Sequence, residues 1–399
     1  MTPTVTISAR GEQRIRGGHP WIYRTDVVDV SATAGEVVDV IGPRHRTIGS
    51  ALFSDQSQIT LRMLTTGDHA AGGKALDSDR AQRLDGLLRS RIEQAIRFRE
   101  SLGLDATAYR LVHGEADLLP SLVVDRYGDY LAIQALSQGM DRLLPAITLI
   151  FINLLQPKGI LARNDPKVRA LEGLPQSVDV LHGDIPESVV VREGPVEYDV
   201  NLRTGQKTGL FLDQRENREA AARYARGRLL DCFSYNGGFA LRLARTCPEA
   251  EALDISPDAV ERIRANAVRN GVPHLQAREV NVFDELRRLE RAGERYDAIV
   301  LDPPAFAKNK ASIPNAMAGY KEINLRAMRL LNAGGYLITC SCSYNVNEEM
   351  FASVIHEASL DSHTPMTIVE KRMQGRDHPV LVGVPETYYL KCFILRRVE

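Results

Sequence analysis

The stretch LLDCFSYNGGFALRLA, residues 229–244, runs from an apolar segment through a glycine pair into a helical pattern. A hydrophobic strand feeding a glycine turn and then a helix is how α/β folds hold nucleotide-like ligands. The dinucleotide fingerprint requires G-x-G-x-x-G at this place. Here only Gly237-Gly238 stands behind Asn236, which argues against a nicotinamide or flavin cofactor and leaves the turn to another ligand.

Outward from this turn the pattern repeats. RLLDCF, AEALDI, LQAREVNVF, YDAIVLD and GGYLITCSC read as strands, each followed by a helical stretch. Near-continuous apolar strands separated by helices imply a parallel sheet covered on both faces. The helix after the second strand is marked by Ser256 as N-cap, Pro257 at its first position and Asn270-Gly271 at its stop. MTIVEK and TYYLKCFILRR read as a terminal hairpin of the same sheet. Ligands of such sheets bind beyond the carboxyl ends of the strands. There this chain puts Asn236-Gly237-Gly238, Asp254, Asp284, DPPAF (302–306) and Cys342. Asp254 is placed to accept hydrogen bonds from two ribose hydroxyls, with a turn or capping role as the plain alternative. Asp284 is placed to meet an exocyclic adenine amine, or to cap the next helix.

The region before residue 204 reads differently. TVTI, EVVDVI, TIGSALF and ITLRML, separated by Gly, Pro and Asp, predict a small all-β barrel or sandwich over residues 1–70. Residues 10–24 hold four arginines against one glutamate, a local basic patch or a solvated loop, and contain the only tryptophan, Trp21. Trp21 suits a barrel core first and RNA stacking second. Residues 77–101 predict an amphipathic helix, followed by paired strands over 109–136, an apolar helix near 141–155 and strands near 159–163, 188–193 and 196–202. At 399 residues the chain exceeds one core. No apolar run approaches the roughly 20 residues of a membrane span, and the N-terminus lacks the pattern of a cleaved leader, so a cytoplasmic location is expected. Five cysteines without a C-x-x-C pair argue against a disulfide framework and a metal site. A net charge of −1 excludes a generally basic nucleic-acid coat.

From TGLFLDQRENR (208–218) onward the sequence resembles class I S-adenosylmethionine-dependent methyltransferases, with DCFSYNGGFAL, ALDIS, NVFD and LDPPAF matching successive motifs. HPWIY, RLVHGEADLLPSLVVDRYGD, FLDQR, GYKEIN (319–324), SCS (341–343) and DHPV…YYLK further resemble the bacterial 23S ribosomal RNA large-subunit cytosine-C5 methyltransferase family. That resemblance implies an α/β chain in three parts. An N-terminal small β-barrel, PUA-like RNA-binding domain would span 1–70, a central α+β domain 75–203, and a Rossmann-like methyltransferase domain 204–399. The implied cofactor is S-adenosylmethionine. It would be held by Phe233, Ser234, Asn236, Gly237 and Gly238 at its methionine end, and by Asp254, Ile255, Asp284 and Asp302. Gln214 and Arg215 would belong to a segment closing over the donor. The implied partner is 23S ribosomal RNA or a large-subunit assembly intermediate, with no membrane, and a homodimer is compatible with it.

Cytosine C5 is a poor nucleophile until a thiolate adds to C6, so this chemistry needs an activated thiol. Cys342 is the implied nucleophile, and Asp302 would hydrogen-bond the N3/N4 edge of the base. Cys340, two residues earlier, is expected to be structural, pointing to the other side or lying within the strand. Arg14, Arg16, Trp21, Arg24, Phe306 and Lys321 are the candidate RNA contacts. One departure matters: another large group of RNA cytosine-C5 methyltransferases carries a cysteine after this proline, where the chain has Pro304 and Ala305. Release of the base then falls to another group, for which Glu386 and Asp377 are candidates. Two other readings remain open: guanine N2 or N7 methylation, which needs no thiol, and a non-catalytic RNA-binding assembly factor.

Overall fold

A computed structural model of the chain describes residues 2–67, 77–307 and 309–398. The N-terminal runs form β1 (Thr4–Ile7), β2 (Trp21–Tyr23), β3 (Val27–Ser31), β4 (Val37–Ile41), β5 (Thr47–Phe53) and β6 (Ile59–Thr66), one sheet in the order β2-β6-β5-β4-β1-β3. Val5, Ile22, Val38, Val40 and Leu61 pack into its core. The region is not all-β, however, because α1 (Ala9–Arg16) interrupts it. Ser8 caps that helix by accepting the Gly11 N–H at 3.2 Å, and Arg16 pairs with Glu12 one turn back at 2.6 Å. Only Gly11 and Ile15 of the helix are buried, too few for a periodic signal.

The central elements are α2 (Asp77–Ser101), β7 (Ala108–His113), β8 (Leu122–Tyr127), β9 (Tyr130–Ala135), α3 (Gln138–Leu155), β10 (Gly159–Asn164) and β11 (Ser177–Gly183). The strands form a second sheet in the order β11-β10-β9-β8-β7. Leu88, Ile92 and Ala95 of α2 and Ile147 and Phe151 of α3 enter its core. Strand β11 had no counterpart in the sequence reading. It lies at the edge, paired only with β10, and its side chains are largely exposed, so no apolar alternation announces it.

The short strands β12 (Val189–Glu193) and β13 (Val196–Val200) make a two-stranded ladder. The last sheet contains β14 (Arg228–Cys232), β15 (Glu249–Asp254), β16 (Leu275–Glu279), β17 (Tyr296–Leu301), β18 (Leu331–Ser341), β19 (Met366–Arg372) and β20 (Lys391–Arg397) in the order β16-β15-β14-β17-β18-β20-β19. β20 is antiparallel to both its neighbours and the other pairings are parallel. Helices α4 (Arg215–Ala221), α5 (Gly238–Leu243), α6 (Pro257–Arg269), α7 (Val282–Arg291), α8 (Ile313–Leu330) and α9 (Glu348–Ser362) alternate with these strands. The expected markers of α6 stand in place: Ser256 accepts the Ala259 N–H, Pro257 opens the helix and Asn270 ends it. The order reverses between β14 and β17, and the crevice beyond their carboxyl ends is where such sheets take ligands.

By compactness the chain divides into two units, each assembled from separated segments. One unit holds residues 1–189, 200–210 and 376–387, and the other holds 190–199, 211–375 and 388–399. Local bonds account for both exchanges. Within the second unit Glu197 and Asp199 donate their backbone N–H groups to Asn270 and Asn266 of the α6 region at 2.8 and 3.0 Å. Within the first, Asp377 takes the Arg110 N–H on its carboxylate and an Arg99 guanidinium N–H on its carbonyl, both at 2.9 Å. The expected boundary at 70–75 falls mostly outside the described residues.

The first unit also buries an ion pair. Glu172 accepts from Arg62 at 2.8 Å and from the Ser54 hydroxyl at 2.6 Å, with both charged side chains almost fully covered. Removing one partner strands the other charge, a loss of about 3–5 kcal/mol in comparable cases. Glu172→Ala is therefore expected to lower the unfolding free energy of the chain by that order, read from urea titration. A loss below about 1 kcal/mol, the value of an exposed pair, would show that water reaches Arg62.

Candidate functional site

The turn after β14 is built from left-handed backbone. Phe233, Tyr235 and Gly237 have φ of 63°, 52° and 80°, while Ser234 and Asn236 between them do not share it. Such conformations cost a non-glycine residue of order 1 kcal/mol or more and persist only where surrounding bonds fix them. Asp231 supplies two of those bonds, accepting the Ser234 hydroxyl at 2.6 Å and the Ala240 N–H at 2.9 Å on one oxygen. Asp254 supplies another, accepting the Tyr235 N–H at 2.8 Å. Backbone bonds add to these, the Ser234 N–H donating to the Leu253 carbonyl at 3.0 Å and the Gly237 N–H to the Ser234 carbonyl at 2.9 Å. Gly238 is required by close approach, since a Cβ there would meet Arg218 Nε at 2.7 Å.

Two buried polar atoms at this turn have no partner: Asp231 Oδ1 and Arg218 Nε. Arg218 otherwise binds Glu193 and the Phe211 carbonyl, both at 2.5 Å. Burial pushes the Asp231 carboxyl up to about 7, and the Asp302 charge adds to that. Asp231 was not singled out from the sequence. The only signal was an acid interrupting an otherwise apolar strand end.

The remaining acids differ in setting. Asp254 is half-buried, and its second oxygen accepts the Ser256 N–H at 2.9 Å. It thus braces both turns beside it while keeping lone pairs to spare. Ile255 beside it is 68% exposed. The Asp284 side chain is 75% exposed and pairs with Arg287 at 3.5 Å. Asp284 does not cap α7; Asn281 does, accepting the Phe283 and Asp284 N–H groups. Asn236 accepts from Arg262 at 2.8 Å.

Asp302 follows β17 and accepts Gln214 Nε2 at 2.8 Å. Gln214 is buried, and its own oxygen accepts from Asn217 at 2.7 Å, while Asn217 accepts from Arg372 at 3.1 Å. This chain of amides fixes which end of Gln214 meets the carboxylate. Arg215 is also buried, not the exposed arginine of a simple helix start, and Asp213 accepts the Tyr389 hydroxyl at 2.6 Å instead of capping α4. Phe306 is half-buried against Tyr320, with ring centroids 4.7 Å apart, and against Phe283 and Phe233 at 6.0 and 6.5 Å.

Cys342 lies one residue past β18, half-buried, with Sγ 3.8 Å from the Pro303 carbonyl of the DPPAF loop. The other four cysteines are buried. The serines on either side of Cys342 are both bound by one phenol: Tyr320 Oη accepts the Ser341 hydroxyl at 3.0 Å and shares a 2.9 Å bond with Ser343 Oγ. Ser343 Oγ also accepts the Ala307 N–H at 3.1 Å. Cys340 lies within β18, directly opposite Cys392 of β20, and burial pushes its thiol well up. The expectation that it points away from Cys342 by alternation fails on spacing, because residues two apart share a strand face.

The candidate RNA contacts are largely committed within the protein. Arg14 stacks over Tyr23 at 4.7 Å and reaches Asp26 at 3.7 Å. Arg16 pairs with Glu12. Arg24 donates to the carbonyls of Asp55 and Ser57 at 2.7 and 3.3 Å. Trp21 is half-buried and donates its indole N–H to Glu115 at 3.0 Å. Lys321 bridges Glu357 and Asp361 of α9 at 3.1 and 2.9 Å. Asp377 and Glu386 belong to the first compact unit, and Cys342 to the second.

Comparison with known proteins gives this geometry a context. Residues 5–66 match a PUA-like domain model and residues 173–380 a model of S-adenosylmethionine-dependent methyltransferases. A protein of Tolumonas auensis named ribosomal RNA large subunit methyltransferase I is 37% identical over the whole of both chains. One of the same name from Vibrio cholerae is 36% identical over 98% of this chain and 99% of its own. A methyltransferase solved in complex with SAH has the same fold, with a TM-score of 0.82 and 20% identity over 99% of this chain and 100% of its own. An S-adenosylmethionine-dependent methyltransferase structure from Streptococcus mutans gives 0.81 over the same coverage, again at 20% identity.

The turn suits the amino-acid end of S-adenosylmethionine, whose ammonium would answer Asp231 Oδ1 and whose carboxylate would answer Arg218 Nε. With its carboxyl raised to about 7, Asp231 holds a proton below that pH and must release it to accept from an ammonium. Donor affinity is therefore expected to fall as pH drops from 8 to 5.5. Asp231→Asn should lose about 1.5–3 kcal/mol of binding at pH 8 and flatten the pH dependence. Titration calorimetry checks both, and a parent affinity constant across this range would remove Asp231 from the donor site.

Proposed function

The chain belongs to the S-adenosylmethionine-dependent methyltransferase family and groups with the ribosomal RNA large subunit methyltransferases I, and on that footing we propose that it forms 5-methylcytidine in 23S ribosomal RNA with Cys342 as the attacking nucleophile. The supporting observation is the placement of that thiol. It is the one cysteine of five that is not buried, it stands beside the DPPAF loop, and Tyr320 fixes the residues on both sides of it. A purely structural cysteine behaves as a small buried hydrophobe, and a methyltransferase acting on an exocyclic amine needs no thiol there.

In this reading Cys342 Sγ forms a bond to C6 of a flipped-out cytosine, and the displaced electron pair makes C5 nucleophilic. Bound S-adenosylmethionine supplies the methyl group that C5 takes up. The C5 proton then passes to water, its electron pair re-forms the C5–C6 double bond, and the C6–S bond breaks with its pair returning to sulfur. Asp302, held by Gln214, contacts the N3/N4 edge and steadies the protonated ring during addition. Pro304 and Ala305 leave no second thiol on the loop, so one cysteine both attacks and departs. The PUA-like region adds RNA affinity rather than chemistry.

RNA carrying 5-fluorocytidine at the target is expected to trap a covalent complex, since fluorine cannot leave C5 as a proton. Cys342→Ala should form none and lose essentially all turnover while keeping donor affinity, because the thiol is demanded only by the chemical steps. Cys340→Ala should still trap. Denaturing gels read the complex, and mass spectrometry of the RNA reads the product. Near-parent methylation by Cys342→Ala would move the assignment to a guanine amine or ring nitrogen.

A further inference from the structure

Glu193 closes β12, directly before a left-handed Gly194 with φ 53°. Its Oε2 accepts from Arg218 Nη1 of α4 at 2.5 Å, an ion pair whose side chains are only 10% and 5% exposed. The other terminal nitrogen, Nη2, donates to the Phe211 carbonyl at 2.5 Å. Each terminal nitrogen thus has an acceptor on a different segment, while the covered Nε has none. Gly238 marks where Nε lies, since a Cβ there would stand 2.7 Å from it. The Tyr198 hydroxyl of β13 donates to the Gly238 carbonyl at 3.3 Å. Both strands of the small ladder therefore reach the glycine turn, one through Arg218 and the other directly.

A guanidinium is a rigid planar fork. Acceptors on Nη1 and Nη2 fix its plane and its rotation, and with them the direction of Nε–H. Burial works against the charge of Arg218, but the adjoining Glu193 carboxylate outweighs it and raises the pKa, so Arg218 stays a cation. Tyr198 stays a neutral phenol, its pKa raised by burial.

We infer that Glu193 is a positioning residue for the methyl donor: with the Phe211 carbonyl it turns the Arg218 fork so that Nε faces the methionine carboxylate. What this asks of Glu193 is an oxygen at a set reach, not a negative charge. The charge competes, since Glu193 and the donor carboxylate answer the same cation. The inference rests on the glycine turn being the methionine site and is independent of which base is methylated.

The test compares S-adenosylmethionine with decarboxylated S-adenosylmethionine by titration calorimetry of the full-length chain at about pH 8, above the raised carboxyl of Asp231. The parent is expected to prefer the ligand that carries the carboxylate by about tenfold or more. Glu193→Asp keeps the charge but shortens the reach by one methylene, and should cut that preference by at least about threefold through loss of S-adenosylmethionine affinity alone. Glu193→Gln keeps the reach and drops the charge, and should retain the preference in full or exceed it. Thermal unfolding identifies the folded variants; a merely stabilising Glu193 would shift their melting temperatures and leave the preference untouched. Folded Glu193→Asp with the parent's preference, or Glu193→Gln without it, overturns the inference while the methionine site stands. A parent that binds both ligands equally takes Arg218 out of the methionine site and overturns that reading together with the inference, whatever the variants do.

Discussion

The second unit turns on one hydroxyl. Tyr320 sits on α8, yet its phenol oxygen is bonded to both serines around Cys342, and through Ser343 it reaches the Ala307 amide that closes the DPPAF loop. Three segments distant in sequence, the loop after β17, the helix α8 and the end of β18, therefore meet at one atom. The ring of the same residue packs between Phe306 and Phe351. Because burial keeps the phenol neutral, it can both accept and donate, which a phenolate could not. The position of the thiol relative to the loop is in this sense a property of Tyr320 more than of the strand that carries Cys342.

The donor side is organised by the opposite means, through bonds left unmade. Asp231 and Arg218 are each satisfied on all but one atom. Buried polar groups are almost always paired in folded proteins, so two exceptions at one turn describe a demand for a donor and an acceptor together. Asp254 braces two turns and keeps acceptor capacity to spare, since two backbone N–H groups occupy only part of it.

Much of this was legible in the sequence where the cause was local. The strands and helices from Arg228 onward, the cap and stop of α6 and the terminal hairpin follow from periodicity and from capping chemistry within a few residues. What escaped depends on distant partners. β11 is an edge strand with exposed side chains, and α1 buries only two residues, so neither carries an apolar pattern. Asp231 looked like one polar residue in an apolar strand, and only the groups folded around it show which of its oxygens is left unbonded. The basic stretch near the N-terminus shows the same dependence: Asp26, Glu12 and the carbonyls that bond its arginines are invisible to a local charge count.

The exchange of segments between the two units bears on how the chain is made. Arg99 and Arg110 wait for Asp377, which lies 267 residues beyond Arg110. At roughly 5–20 residues per second of synthesis, about 13–53 s separate the appearance of the two. Neither unit is complete until the end of the chain is made: the first, although it begins at the N-terminus, waits for residues 376–387, and the second for residues 388–399. Until residue 377 emerges, the first unit lacks the carbonyl that Arg99 binds and the carboxylate that the Arg110 N–H binds, and a chain cut short near residue 375 would be defective in both units, since it would also lack β20 between β18 and β19.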